Sequence, residues 1–186
     1  SPAEPRYRSE MSGRYLKGLL QFAIPGPAGE EPAPITLPPP DADRGWFLGK
    51  APFAGPTLGP EVAAVLSDAI RSAPTTSCRI DFQHTGGALA DIADTATSFW
   101  GRGAEWNIPL NAVWANPHDG EACHEWARAT LGSLAEDTIG GYSVELRPGF
   151  DETQREVERA YGANLEPLRA LRRRYDPSGV LGGCPL

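Results

Sequence analysis

From residue 105 to residue 114 the chain alternates. Trp106, Ile108, Leu110, Ala112 and Trp114 fall on one side, and Asn107, Pro109, Asn111 and Val113 on the other. A period of two predicts a strand with one face on a core and a second, amide-bearing face left over. Residues 79–84 repeat the pattern, with Ile80 and Phe82 opposed to Arg79, Asp81 and Gln83. Residues 142–147 give a third alternating run, Tyr142, Val144 and Leu146 against Ser143, Glu145 and Arg147. Apolar stretches at 14–24 and 45–50 are further strand candidates.

Elsewhere the period changes to 3.6. Residues 58–72 predict a helix with Val62, Val65, Leu66, Ala69 and Ile70 as its stripe, Thr57 as cap, Pro60 in the first turn and Pro74 beyond the end. Residues 120–134 predict a second, capped by Asp119, with Ala122, Trp126, Ala129 and Leu134 inward. Two more close the chain. Residues 152–161 run from a cap at Asp151 to a stop at Gly162, and residues 165–175 open at Asn164 and end at Asp176-Pro177. Arg169 and Arg172 to Arg174 collect toward the C-terminal end of the last helix, where they suit its dipole. Between residues 25 and 43 stand seven prolines, the composition of an extended linker.

The chain therefore divides into an N-terminal strand with a Pro-rich linker, residues 1–45, and a domain, residues 46–186. Strands outside βαβ alternation predict an α+β fold: an antiparallel β-sheet with helices packed on one face and the other face open. The polar sides of the three strands then share that open face.

Composition narrows the function. The 186 residues are enough for one real core. The net charge of −7 argues against a nucleic-acid partner or an anionic membrane surface. No apolar run is long enough to span a bilayer and no signal-peptide pattern opens the chain, so the expected location is cytoplasmic, with secretion also compatible. Cys78, Cys123 and Cys184 are an odd number, far apart and without a CxxC, and read as buried thiols. GxSxG, P-loop, dinucleotide and HExxH motifs are absent. His118, Asp119, Cys123 and His124 lie close in sequence, but across a turn and a helix start, so no metal is predicted. Gly86-Gly87 reads as a tight turn, and His84 as a hydrogen-bonded strand end. Glu145 is the candidate for general acid/base work, since partial burial beside Tyr142 and Val144 would raise its pKa. The competing reading pairs it with Arg147 or Arg79.

Three stretches carry a resemblance. GGALADIADTATSFWGR with EWNIPLNAVW resembles a GG-A…TAF-x-x-R segment and the strand ending in Trp that follows it; Thr97, Phe99 and Arg102 match, and Gly101 replaces a His. WARATLGSLAEDTIGGYSVEL is similar to a W-x-R helix followed by Y-x-N; Trp126, Arg128 and Tyr142 match, and Val144 replaces the Asn. AYGANLEPLRALRRRYDPSGVL resembles a Y-G-x-N…Y-D-P tail; Tyr161, Gly162, Asn164, Leu168, Tyr175, Asp176 and Pro177 match, and Pro167 replaces an Arg. GKAPFAGPTLGPE resembles the segment that opens the same domain. In order and spacing these resemble the C-terminal, substrate-binding half of the berberine-bridge-enzyme-like, FAD-linked oxidases, over residues 46–181.

The resemblance implies an antiparallel sheet that roofs a substrate site over a flavin. It implies an active-site position at Glu145, and Tyr142 of the same motif is the second catalytic candidate. The polar side on which alternation puts Asn107, Asn111, Gln83 and Arg79 is then the substrate-facing one, and in a flavin-free pocket Trp46 or Trp100 would be the apolar walls. The base found in some members falls nearest Pro109, which has no proton to exchange, so Glu145 is the acid that remains. Residues 1–45 carry nothing like the family's flavin-binding domain. The expectation is therefore an FAD-linked oxidoreductase of secondary metabolism acting on a small organic or natural-product substrate. This chain would be its substrate domain, a fragment or one chain of a split enzyme, binding FAD only with a flavin domain or partner present and none alone. The alternatives are a flavin-free cyclase or isomerase, and a binding protein working as a homodimer or in a partner complex.

Overall fold

The computed structural model describes residues 45–146, 152–181 and 186. These belong to one compact unit, residues 43–186. The predicted strand at 14–24, the Pro-rich linker, Arg147 and Cys184 lie outside the described residues.

Among the described residues seven short strands form. In chain order they are β1 (Trp46–Lys50), β2 (Pro52–Ala54), β3 (Arg79–Ile80), β4 (Gln83–His84), β5 (Trp106–Asn107), β6 (Leu110–Trp114) and β7 (Thr138–Gly141). They make two antiparallel sheets, ordered β1-β6-β3 and β4-β5-β2-β7. The fold is α+β and antiparallel, as the alternation predicts, but the single predicted sheet is two. The division has a local cause. Pro109, between β5 and β6, has no N–H to donate, and Pro52, also without one, starts β2 instead of continuing β1. Backbone bonds bridge the breaks: Ile108 N–H donates to Pro52 O at 3.0 Å, and Asp81 N–H to Pro109 O at 3.0 Å. Three stretches of chain thus each run through both sheets.

Among the described residues four α-helices pack with them: α1 (Pro60–Arg71), α2 (Gly120–Ser133), α3 (Glu152–Tyr161) and α4 (Leu165–Tyr175). Leu48, Ala112 and Trp114 join Cys78 and the α2 residues Cys123, Trp126 and Ala127 in one core cluster. Ala54, Ile108 and Leu110 join Val62 and Leu66 of α1 and Leu134 in another. The even-numbered side of residues 106–114 is therefore the helix-covered side, as predicted.

Several expectations need correction. In α2 the buried residues are Cys123, Trp126, Ala127 and Thr130, while Ala122 and Ala129 are exposed. The Trp126 indole sets this rotation, since its Nε1–H donates to Ala69 O at 2.7 Å. Trp126 and Leu134 are inward as predicted, and the alanines of the predicted stripe carry too little apolar area to hold the helix to them. In α1, Ile70 is exposed and the stripe is Val62, Leu66 and Ala69. Thr57 does not cap α1; Gly59 occupies that position without a side-chain bond. Asp119 precedes α2 without capping it, and Asn116 instead accepts from His118 N–H at 3.1 Å.

The third predicted strand is displaced. β7 ends at Gly141, and Ser143–Glu145 is a 3₁₀ turn. Tertiary pairing selects this register: Gly141 lies opposite Pro52, and Gly140 opposite Phe53. A methyl group at Gly140 would stand 3.3 Å from Arg159 O, so the close approach there uses the bare glycine. The apolar alternation at Tyr142, Val144 and Leu146 is largely a surface feature, with Val144 69% exposed.

Candidate functional site

The odd-numbered side of the strands carries the polar rows. Register places Gly49 of β1, Asn111 of β6 and Arg79 of β3 side by side. A second row sets Phe53 of β2, Asn107 of β5 and Gln83 of β4 side by side. Arg79, Gln83, Asn107 and Asn111 thus share one face, where the alternation put them. Asn107 and Asn111 are 4% and 5% exposed. The Asn111 amide donates to Asp81 Oδ2 at 2.8 Å, and Arg79 Nε reaches the same oxygen at 3.4 Å. The Asn107 amide donates to Gln83 Oε1 at 2.8 Å, and Asn107 Oδ1 is buried without a partner.

Glu145 arrives at this face from the 3₁₀ turn, not from a strand. Its carboxylate lies directly over the bare backbone of Gly49, beside Asn111 in the first row. Arg79, one of the two partners the competing reading gives it, is engaged with Asp81. Among the described residues no donor is bonded to the Glu145 carboxylate. Tyr142 leans on Phe53 with ring centroids 6.2 Å apart, and Phe99 packs edge-on against the same ring at 5.8 Å. Tyr142 and Glu145 also line one pocket with Lys50, Glu156 and Arg159, among apolar walls that include Pro52, Leu131 and Leu146.

Trp46 and Trp100 are not brought to these rows. Trp46 has the parity of the helix side, where it faces Trp114 across the ladder and is 45% exposed. The Trp100 indole fills the space a side chain would need at Gly162, whose φ of +45° already favours glycine.

Two sets of polar contacts are not expected from the sequence. Lys50 Nζ bonds both oxygens of Glu156 on α3, each at 2.6 Å. The signal was available, since Lys50 has the even parity of the helix-covered side and a charge there needs a partner. The second is a lock on the connection at residues 85–104. Asp94 Oδ1 accepts from Arg102 N–H at 2.7 Å, and Arg102 Nη2 donates to Thr97 Oγ1 at 2.6 Å. Asn164 donates to Asp94 O at 2.7 Å and Thr97 O at 3.1 Å, rather than capping α4.

His84 and the two described cysteines are engaged structurally. His84 Nε2 and Glu105 Oε1 are 2.7 Å apart, with the imidazole edge-on to Trp106, which agrees with a hydrogen-bonded role for His84. Cys78 and Cys123 are buried free thiols. Burial, then the neighbouring Cys78, then Asp119 push the Cys123 thiol up to about 11. Among the described residues no three His, Cys, Asp or Glu side chains converge as metal ligands, and no helix is long and apolar enough to cross a membrane.

No family model matches the chain. An uncharacterized FAD-linked oxidoreductase of Bacillus subtilis, YgaK, is 26% identical over 170 residues, which is 89% of this chain and 33% of that protein. BBE-like 1 of Physcomitrella patens superposes with a TM-score of 0.63 at 16% identity, over 72% of this chain and 28% of its own. The chain carries the berberine-bridge-enzyme-like oxidase fold. GilR, an oxidoreductase of gilvocarcin biosynthesis solved with pregilvocarcin, superposes at 0.65 and 16% identity, over 73% of this chain and 31% of its own. The chain thus spans about a third of the length of such BBE-like proteins. The described residues themselves do not fit the diphosphate of an FAD. Gly86-Gly87 opens a 3₁₀ turn of only three residues, and Arg102 turns its guanidinium to Thr97 and Leu89.

Proposed function

We propose that this chain is the substrate-binding part of an FAD-linked oxidoreductase, with the odd-numbered sheet face as the roof of the substrate site. One observation carries the reading: a partly buried carboxylate, Glu145, held without a bonded donor beside a row of side-chain amides. A carboxylate left in that state is available to accept a proton. Asn111, Asn107, Gln83 and Arg79 orient the substrate by hydrogen bonds, and Glu145 takes the proton from its reacting hydroxyl or amine. Tyr142 lies beside Glu145 in the same pocket and closes one side of the site. The flavin, held by protein outside these residues, supplies the electron acceptor.

The substrate class follows from the acceptor-rich rows, in which Glu145 and Asp81 flank Asn111. They favour a small organic molecule bearing hydroxyl or amino groups. Proteins of similar fold include a glycopeptide hexose oxidase, a chitooligosaccharide oxidase and a carbohydrate oxidase, which supports a hydroxylated substrate. The test is Glu145→Gln in the flavin-loaded protein, assayed by oxidation of a panel of sugars and phenolic glycosides. Loss of a general base lowers kcat by about 100-fold or more. Turnover unchanged by E145Q removes Glu145 from the chemistry.

A further inference from the structure

Glu145 reaches the polar face only because residue 49 has no side chain. A methyl group at Gly49 would fall 2.6 Å from Glu145 Cδ and 3.0 Å from Oε1, with Oε2 closer still. Both distances are inside van der Waals contact, so carboxylate and methyl exclude one another. Gly49 has no left-handed backbone angle that would itself demand glycine. It stands mid-strand in β1, a position where glycine costs stability through its entropy and its missing packing. The flanking Leu48 and Lys50 are both buried, so the strand itself is well packed. Backbone conformation therefore gives no reason for a glycine here, and the seated carboxylate does.

We infer that Gly49 is a positioning residue: its bare backbone is the seat that holds the Glu145 carboxylate beside Asn111. This rests on the reading of Glu145 given above, and adds a determinant on a different strand. Glu145 itself sits on a short turn, whose Glu145 N–H bonds Tyr142 O at 3.2 Å. That bond fixes the turn backbone but leaves the side-chain torsions free. The seat at Gly49 and the wall beside it select among them.

The prediction is read by NMR on the isotopically labelled chain, with the Glu145 carboxyl carbon assigned by its disappearance in Glu145→Gln. The native protein shows a nuclear Overhauser contact between the Gly49 α protons and Glu145 Hγ. In Gly49→Ala the carboxyl resonance shifts and no Overhauser contact joins the new methyl to a seated Glu145 side chain. Gly55→Ala is the control. It lies just beyond β2, and a methyl group there meets no atom within 4 Å, so the Glu145 signals stay in place. Only the far end of a flexible side chain is displaced at Gly49, so G49A folds. A Glu145→Ala background separates seat from scaffold: there Gly49→Ala holds or raises Tm, because the carboxylate that excludes the methyl group is gone. An unmoved Glu145 resonance in G49A, or a Tm loss of equal size with and without Glu145, overturns the inference. That outcome is distinct from failure of the base reading, which appears as normal turnover in E145Q while G49A still moves the resonance.

Discussion

Lys50→Met tests the largest single polar commitment in the core. Lys50 Nζ meets both Glu156 oxygens at 2.6 Å, and the two side chains are only 9% and 14% exposed. Water therefore screens the pair weakly, and removing one partner strands the other charge. The expected loss is about 3–5 kcal/mol, against a total stability of about 5–15 kcal/mol for a domain of this kind. With a urea m-value of about 1–3 kcal/mol/M, the midpoint falls by one to a few molar. Glu156→Leu is expected to cost a similar amount. The double variant Lys50→Met, Glu156→Leu leaves neither charge behind and returns to within about 1 kcal/mol of the native protein. Raising salt has little effect on the native midpoint, since the pair is not a surface one. Urea titrations followed by tryptophan fluorescence read all three variants. Single losses below about 1 kcal/mol, or a double loss equal to the sum of the singles, refute the reasoning.

Two further outcomes follow. Asn164→Ala leaves the Asp94 and Thr97 carbonyls unmet, at about 1–3 kcal/mol each, and raises hydrogen exchange and protease cleavage within residues 85–104 while β1 and β6 stay protected; uniform loss of protection across the sheets refutes the lock. Cys123 has its folded value raised from 9.0 to about 11, so its contribution is complete below pH 9 and is lost as pH rises toward 11. Urea midpoints across that window fall more steeply in the native chain than in Cys123→Ala, and equal slopes refute the assignment.

The alternation at 106–114 was legible because the strand has a real core on one side. Every second residue there is apolar for a physical reason, and the structure keeps the same parity through Leu48, Ile80 and Ala54. The same pattern at 142–147 misled, since Val144 and Tyr142 alternate at the surface and the pairing falls on two glycines instead. Helix α2 keeps Trp126 and Leu134 inward as the spacing predicts, while Ala122 and Ala129 turn outward and Cys123, Ala127 and Thr130 are buried in their place. Glu145 was found on the right face through the wrong element. Its seat was not legible at all: nothing local ties residue 49 to residue 145, and a glycine in a short strand reads as a weakness until the group above it is known. Asn164 looked like a helix cap for the same reason, as its two acceptors lie 70 and 67 residues earlier.

That separation bears on how the chain acquires its structure. During synthesis the strands within residues 46–141 leave the ribosome before residue 164, and every strand then has its ladder partner. The acceptors on residues 94 and 97 must wait until residue 164 has emerged, and closing so long a loop brings an entropic penalty before its bonds repay it. The sheets and the connection should then form in two stages, with the connection last. A nascent chain arrested before residue 164 would hold its strand pairs and still expose the 85–104 segment to chaperones.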